Sequence, residues 1–420
     1  MQRFFKVISY TAFLTFIKML CGIFISKAIA IYAGPSGMAL FGQMQGFTTM
    51  LTNLGNSPNN SGVIKYTAEF EHKGIDVYSQ WWKAAIYWSF FVYITLFMLV
   101  VFFSEEISIF LTGKNDYRWL VISAGMLIPL SALGVLCSSI YNSFRDYKNF
   151  FLSGMISTLI TSVVIIYIIL SYGLIGAMVA AVIQPALIGG GVFIFSLKEK
   201  WCRLKYFIGP ITKGAKNDIL KYVAMISVSA IVGPLSIIIL RTFLIEQVGW
   251  EIAGEWQSVW KISEVYLGVI TLTLSTYYLP VLAKTRDYQQ LVLELRRTVK
   301  VIFPLIVLMA FFIYILRDYI IYILFSKDFY NARELFLIQL LGDVIKIVSY
   351  IYAYPMLAKG KIKFFIFTEI LFCITLITLS FFLINIFGVH GANIAYASNY
   401  LLYLIVVIMS FKRLYAQSCN

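Results

Sequence analysis

The chain of 420 residues is short of charge. Asp, Glu, Lys and Arg make up 13% of it, against about 25% in soluble domains. That is too little polar material to cover a globule of this size. It excludes an ordinary cytosolic enzyme and a disordered chain. Histidine is scarcer still, with only His72 and His390. A histidine-held metal or a histidine-based triad therefore has almost nothing to build on. The five cysteines, Cys21, Cys137, Cys202, Cys373 and Cys419, are scattered and without metal-type spacing. They read as small apolar residues within helices. No phosphate-binding glycine loop occurs, no Gly-x-Ser-x-Gly elbow, and no loop that gathers acids for a metal-dependent transferase. The chain reads as something other than an enzyme, with no metal and no cofactor.

What is abundant is apolar: 60% of the residues, 17% aromatic, at a mean hydropathy of +0.83. The apolar runs are continuous rather than alternating, which points away from a β-barrel and toward an all-α polytopic membrane protein. At about 20 residues per crossing, twelve spans can be drawn. They are 5–32, 36–57, 84–103, 118–141, 150–171, 174–196, 218–245, 251–282, 299–316, 332–357, 363–386 and 391–411. No large domain outside the membrane fits between them. The second span carries Gln43, Gln45, Thr48, Thr49 and Asn53, which is polar for lipid and suits an aqueous cavity. Segment 317–331 is too short to span and reads as a partly embedded hairpin. The first span, after Arg3 and Lys6, lacks a cleavage site and reads as a retained helix rather than a signal peptide.

Basic residues outnumber acidic ones, 34 to 20, for a net charge of +14. In a soluble protein that excess would suggest nucleic acid. Here it is an orientation signal. Of the 34, only Lys114, Arg118, Arg317, Lys327 and Arg333 fall on one side, and five more lie within spans. The rest gather on the other side, which the positive-inside rule makes cytoplasmic. Both termini are then expected inside, and no nucleic-acid partner is needed.

The richest basic run lies between spans six and seven. It divides the chain into 1–197, a basic cytoplasmic linker 198–217, and 218–420: two six-helix halves in the same orientation. A short echo supports the repeat. Arg145-x-x-x-x-Phe150-Phe151 joins spans four and five, and Lys359-x-x-x-x-Phe364-Phe365 joins spans ten and eleven. Parallel six-helix repeats are a transporter pattern, with a central cavity opening alternately to each side.

Eight charged groups sit well inside spans, away from their ends, at a cost of at least about 2.5–3.5 kcal/mol each on insertion scales. They are Lys18, Lys27, Arg241, Lys261, Glu264, Asp343, Lys346 and Glu369, so cations exceed anions. Lys18 lies near mid-membrane, where it faces a cavity or pairs with an acid from another helix. Lys27 is nearer the outer end and can snorkel. The two are about 180° apart on a helix and cannot both point at one site. Arg241 offers a planar guanidinium suited to phosphate. Lys261–Glu264 and Asp343–Lys346 are both i,i+3. They are intrahelical salt bridges, or a cavity lining with separable charges. Glu369 stands alone in its helix as a candidate proton site. Trp256, Trp260 and Glu264 recur every four residues. Such a stripe suits the C–H faces and hydroxyl edges of sugars, or forms an interfacial aromatic belt.

Longer motifs carry a resemblance. Gly34-Pro35-x-Gly37 and Lys65-Tyr66 flank span two, and Phe144-Arg145-Asp146 follows span four. Trp256-Gln257-x-x-x-x-Ile262-Ser263-Glu264-x-Tyr266-Leu267 runs on to Tyr278-Leu279-Pro280-x-Leu282. Leu316-Arg317-Asp318 and Gln339-Leu340-x-Gly342-Asp343-Val344-x-Lys346 follow. In collinear order over the whole chain, these resemble the Wzx flippases of the multidrug/oligosaccharidyl-lipid/polysaccharide exporter superfamily. One departure is Glu264, where the common-antigen type carries Asp. The resemblance implies a multi-pass protein of the bacterial inner membrane that flips undecaprenyl-pyrophosphate-linked oligosaccharide, of O-antigen or common-antigen type, to the periplasmic leaflet. It implies a monomeric transporter working beside the polymerase and chain-length proteins of its pathway. The cationic set Lys18, Lys27, Arg241, Lys261 and Lys346, with Trp256 and Trp260, would hold the substrate. Glu264, Asp343 and Glu369 would pair with them or couple transport to a proton or sodium gradient. Lys65, Arg145 and Asp146 would gate the cytoplasmic side. The competing readings are a cation-coupled drug antiporter of the same superfamily, which would need an anionic cavity, and a membrane polysaccharide polymerase, which would need a larger outer loop.

Overall fold

The structure is a computed structural model. It describes residues 2–285 and 287–415, without side chains at 2–12, 362 and 412–414. Arg286 and Cys419 lie outside the described residues, as do the side chains of Arg3, Lys6, Lys412 and Arg413.

Among the described residues there is no strand, and the helices run in chain order. They are α1 (Gln2–Tyr32), α2 (Gly34–Asn56), α3 (Ser61–Phe70), α4 (Ile75–Phe102), α5 (Ser104–Thr112), α6 (Arg118–Met126) and α7 (Ile128–Ser143). Then come α8 (Tyr147–Ser196), α9 (Lys213–Thr273), α10 (Leu279–Lys284), α11 (Tyr288–Leu324), α12 (Phe336–Ala358), α13 (Ile362–Phe387) and α14 (Val389–Tyr415).

Nine stretches among the described residues are long and apolar enough to cross a membrane. Two of them are double-length. α8 breaks at Gly173 (φ 51°, ψ −120°) and α9 at Gly249 (φ 83°, ψ 172°), backbone conformations that favour glycine, so each forms two arms. α2, more polar than these, supplies a further span-length helix. The result is the architecture of about twelve helices that the apolar runs predict. Apolar side chains such as Val301, Phe311 and Phe312 of α11 stand exposed, as hydrocarbon surroundings allow.

One expected element is corrected. Residues 317–324 do not form half of a hairpin; they are the last turns of α11. The stretch Arg317-Asp318-Tyr319-Ile320-Ile321-Tyr322-Ile323-Leu324 has neither glycine nor proline, so nothing interrupts the helix begun at Tyr288. The chain leaves it only at Phe325 and Ser326, both extended, and a 3₁₀ segment (Lys327–Leu335) leads into α12.

The chain divides into two compact units, Met1–Ala33 with Leu40–Ile238, and Gly34–Ala39 with Ile239–Asn420. In the first, α8 packs on α7 and α1, and α3 on α4 and α7. Gly134 and Gly189 set the α7–α8 spacing: a Cβ on Gly134 would lie 2.3 Å from Gly189 Cα. Small residues let membrane helices approach this closely. A core of this unit gathers Trp82, Tyr141, Trp201 and Ile219. Trp82 Nε1 donates to Thr67 Oγ1 at 2.8 Å, and Trp88 Nε1 to the Lys216 carbonyl at 2.9 Å. The basic segment after α8 is thus folded against α3, α4 and α7. Burial there, with Glu199 nearby, pushes the Cys202 thiol above its usual pKa, which disfavours the reactive thiolate.

In the second unit α12 packs on α14, α13 on α14, and α11 on α12. The two short basic turns of the sequence echo have one geometry. After α7, Asp146 N–H donates to the Tyr141 carbonyl (3.0 Å) and Arg145 N–H to that of Asn142 (3.1 Å). After α12, Lys361 N–H donates to the Met356 carbonyl (2.8 Å) and Gly360 N–H to that of Leu357 (3.2 Å). Both are Schellman turns, with Arg145 (φ 54°) and Gly360 (φ 66°) in the left-handed position.

Candidate functional site

Three helices of the second unit each offer one polar stripe. On the second arm of α9 it is Trp256, Trp260, Ser263 and Glu264, and on α12 it is Gln339, Asp343, Lys346 and Tyr350. On α14 it is Tyr396 and Tyr400. Spacings of three and four put each set on one helix face. Where the faces meet, a cavity of about 220 Å³ is lined by Trp260, Glu264, Gln339, Lys346, Tyr350 and Tyr396, among others.

Asp343 sits beside this cavity, wholly buried. Its Oδ2 accepts from Ser263 Oγ (2.5 Å) and Tyr266 OH (2.7 Å), and its Oδ1 from Tyr396 OH (2.8 Å) and Gln339 Nε2 (3.3 Å). Donors from α9, α12 and α14 thus converge on one carboxylate, which is how a buried charge is tolerated. The i,i+3 spacing of Asp343 and Lys346 does not give a salt bridge. The hydroxyls occupy the carboxylate, and the Lys346 ammonium turns to aromatic rings. They are Tyr400, Tyr396, Trp260 and Tyr350, with centroids 5.2, 5.5, 5.7 and 5.9 Å away.

The other i,i+3 pair does close. Lys261 Nζ lies 2.9 Å from Glu264 Oε2, and Trp260 Nε1 donates to Glu264 Oε1 at 3.1 Å. The Glu264 side chain is 48% exposed, so this pair forms part of an open rim. Trp256 and Arg241 lie deeper. Trp256 is buried and donates Nε1 to Asn393 Oδ1 at 2.7 Å, and that asparagine donates in turn to the Leu335 carbonyl. Arg241 is 3% exposed, with Nε donating to Gln257 Oε1 at 3.0 Å and its guanidinium 5.9 Å from the Trp256 ring centre. The cavity therefore brings together Trp260, Glu264 and Lys346, with Lys261 at the rim. It does not gather Trp256, Arg241 or Glu369; Glu369 is half-buried on α13 with interactions of its own.

The remaining candidates belong to the first unit. Lys18 is exposed in the middle of α1, and among the described residues it makes no ion pair. Lys27 is half-buried and partnered. Lys65 is exposed on α3, where the Tyr222 and Tyr66 hydroxyls hold its ammonium above the usual pKa. Arg145 is exposed in its strained turn. Asp146 caps α8, accepting from Asn149 N–H at 3.2 Å.

Sequence reasoning passed over Gln339, Tyr350, Tyr396 and Tyr400 as site residues. A signal existed: Tyr350 is four residues after Lys346, and Tyr396 and Tyr400 are four apart. It was diluted among 28 tyrosines.

No protein-family profile matches the chain. Two relatives do, the lipid III flippases of Escherichia coli (strain K12) and Shigella flexneri. Each is 30% identical to it over 404 residues, covering 95% of this chain and 95% of the relative. Among solved structures, an inward-facing multidrug resistance MATE family transporter of the MOP superfamily superposes with a TM-score of 0.75 at 14% identity, over 96% of this chain and 94% of that one. The lipid II flippase MurJ, in an inward closed conformation, gives 0.71 at 17% identity, over 96% and 87%. These likenesses speak for the fold, and the relatives are flippases and transporters rather than enzymes. The 30% identity along nearly the full length of both sequences makes the chain a member of the lipid III flippase family, built on the fold shared by MATE transporters and MurJ.

Proposed function

We propose that the protein flips undecaprenyl-pyrophosphate-linked oligosaccharide repeat units, of O-antigen or common-antigen type, from the cytoplasmic to the periplasmic leaflet of the bacterial inner membrane by alternating access. The collinear match to lipid III flippases over 95% of both chains carries this reading. The chemistry agrees with it. Hydrocarbon rejects the anionic headgroup, whereas a path with excess cations offsets its charge while the prenyl chain stays in the bilayer. The intramembrane cations Lys18, Lys27, Arg241, Lys261 and Lys346 outnumber Glu264, Asp343 and Glu369. Lys65 on α3, and Arg145 and Asp146 in the turn between α7 and α8, serve as gate residues on the cytoplasmic side. The transporter works as a monomer beside the polymerase and chain-length proteins that use its product. Release of the anion is driven by a proton or sodium gradient acting on one of the three acids.

Reconstitution tests this. Purified protein in proteoliposomes should expose a fluorescently labelled polyprenyl-pyrophosphate oligosaccharide to an external quencher. The Lys18→Ala/Arg241→Ala/Lys346→Ala variant should slow that exposure by at least about tenfold, one lost charge-assisted contact being worth roughly that. Wild-type protein that moves no such lipid, or a variant as fast as wild type, overturns the reading. For the coupling, flux that ignores an imposed pH or sodium gradient and survives Glu264→Gln, Asp343→Asn and Glu369→Gln rejects it.

A further inference from the structure

The stretch between α8 and α9 is folded with aromatic residues inward and aliphatic ones outward. Trp201 is buried, its ring centre 5.2 Å from that of Tyr141 and 6.2 Å from that of Trp82. Phe207 stacks on Trp82 at 5.5 Å, and Thr212 N–H donates to Gln80 Oε1 at 3.2 Å. Between these anchors the chain makes one helical turn. Phe207 N–H and Ile208 N–H both donate to the Leu204 carbonyl, at 3.0 and 3.1 Å. Leu204 and Ile208, four residues apart, therefore share one face of the turn. With Trp201 and Phe207 packed on the core, that face is turned outward: Leu204 is 73% exposed and Ile208 63%.

A single exposed aliphatic residue is ordinary. Two on one anchored turn, flanked in the chain by cations, call for a partner. Lys198, Lys200, Arg203, Lys205 and Lys213 are all exposed, and among the described residues none of them makes an ion pair. Glu199, the one acid in 197–213, is engaged elsewhere: its Oε1 accepts from Asn149 Nδ2 at 3.2 Å and from Tyr141 OH at 3.5 Å. Aliphatic tips among long basic stems suit the headgroup level of a bilayer, the aliphatics below the phosphates and the ammonium groups among them. The bilayer is within reach, because the stretch leaves one membrane-crossing helix at Ser196 and enters the next at Lys213. Charge then chooses among lipids, since an anionic leaflet attracts each nearby Lys or Arg. A single pyrophosphate suits this surface less well. The five cations are strung along residues 198–213 instead of gathering at one point of the chain.

We infer that the surface formed by residues 197–213 binds anionic glycerophospholipids of the leaflet it faces. Leu204 and Ile208 lie among the acyl chains just below the headgroups. Lys198, Lys200, Arg203, Lys205 and Lys213 lie on the lipid phosphates. Through Trp201 and Phe207 the bound lipid braces Trp82 of α4 and Tyr141 of α7. On the orientation proposed above, the leaflet is the cytoplasmic one.

The test is hydrogen–deuterium exchange of the full-length protein in nanodiscs, of phosphatidylcholine alone or of equal parts phosphatidylcholine and phosphatidylglycerol. The amides of 204–208 should exchange at least about fivefold more slowly with phosphatidylglycerol present, the effect of one Lys or Arg beside an anionic surface. The difference should vanish at about 1 M salt, where screening is nearly complete. The variant Lys198→Gln/Lys200→Gln/Arg203→Gln/Lys205→Gln should melt like wild type and lose the difference. Leu204→Ser/Ile208→Ser, which keeps every charge, should retain part of it. Equal exchange in the two lipids, or a difference that survives the four Gln replacements or high salt, overturns the inference. So does slowing that phosphatidylglycerol fails to produce and a polyprenyl pyrophosphate added to phosphatidylcholine nanodiscs does, which would give the surface to the substrate. If the Gln variant does not fold, the wild-type comparison at low and high salt decides. The flipping assay keeps this apart from the broader reading. Flipping by a protein whose exchange ignores phosphatidylglycerol removes the lipid site and leaves the flippase. Protection by phosphatidylglycerol without any lipid movement does the reverse.

Discussion

Arg145 occupies the left-handed position of a turn whose counterpart after α12 uses Gly360. A side chain there costs roughly 1–2 kcal/mol relative to glycine. Arg145→Gly should therefore raise the melting temperature in detergent, by the equivalent of about 1 kcal/mol, while slowing flipping if the guanidinium gates the cytoplasmic side. A variant that is both more stable and as fast would remove Arg145 from the gate. Asp343 predicts the opposite balance. Asp343→Ala would leave three hydroxyls and an amide aimed at nothing, and should cost at least about 3 kcal/mol, a single unsatisfied buried donor being worth about 1–3 kcal/mol. Asp343→Asn keeps an acceptor and should melt between the two. How far the site could be read in advance divides at this residue. The Lys261–Glu264 pair follows from i,i+3 spacing alone. Asp343–Lys346 has the same spacing and no salt bridge, because its outcome depends on Ser263, Tyr266 and Tyr396, some 53–80 residues away in sequence.

Helices in this chain are placed by apolar runs and broken by glycine, and the two roles of glycine can be told apart by mutation. Gly189 is a contact glycine: an added Cβ would lie 2.5 Å from the Leu130 carbonyl oxygen, and overpacking of this kind costs about 1–3 kcal/mol. Gly249 is a conformational glycine, with φ 83° and nothing within 4 Å of an added Cβ. Gly249→Ala should lower the melting temperature by backbone strain alone, and Gly189→Ala by a clash between α7 and α8. Gly22 is the control. It lies within α1 with no atom within 4 Å of an added Cβ, so Gly22→Ala should be neutral or stabilising by up to about 1 kcal/mol. The same distinction explains what was legible in the fold. Runs of about 20 apolar residues announce nearly every span. The breaks at Gly173 and Gly249 fall where adjacent runs abut. The hairpin expected at 317–331 does not form because no helix breaker stands at its start; eight helix-compatible residues simply continue α11.

At the scale of the whole molecule, one charge count makes a claim about orientation that the helices leave open. Of 34 Lys and Arg residues, five fall in the loops after odd-numbered spans and five within spans, leaving the large majority at the termini and in the loops after even-numbered spans. A bias of that size directs short loops to the cytoplasm, and a count of twelve spans then returns the C-terminus to the side of the N-terminus. A green fluorescent protein fused after Asn420 should accordingly fluoresce, because it folds only in the cytoplasm. Alkaline phosphatase, active only outside it, should be active when inserted beside Lys114 and inactive when inserted beside Lys205. The prediction has a second part that the charge rule makes quantitative. Replacing the basic residues of the 198–216 segment by Gln should leave the orientation unchanged, because Lys65, Lys73, Lys83 and the Lys359–Lys363 cluster still hold their own loops inside. Adding four lysines around Lys114 should weaken it, since the loop there carries only Lys114 and Arg118. Phosphatase activity at Lys205, or its absence at Lys114, would invert the molecule and with it the direction of transport proposed here.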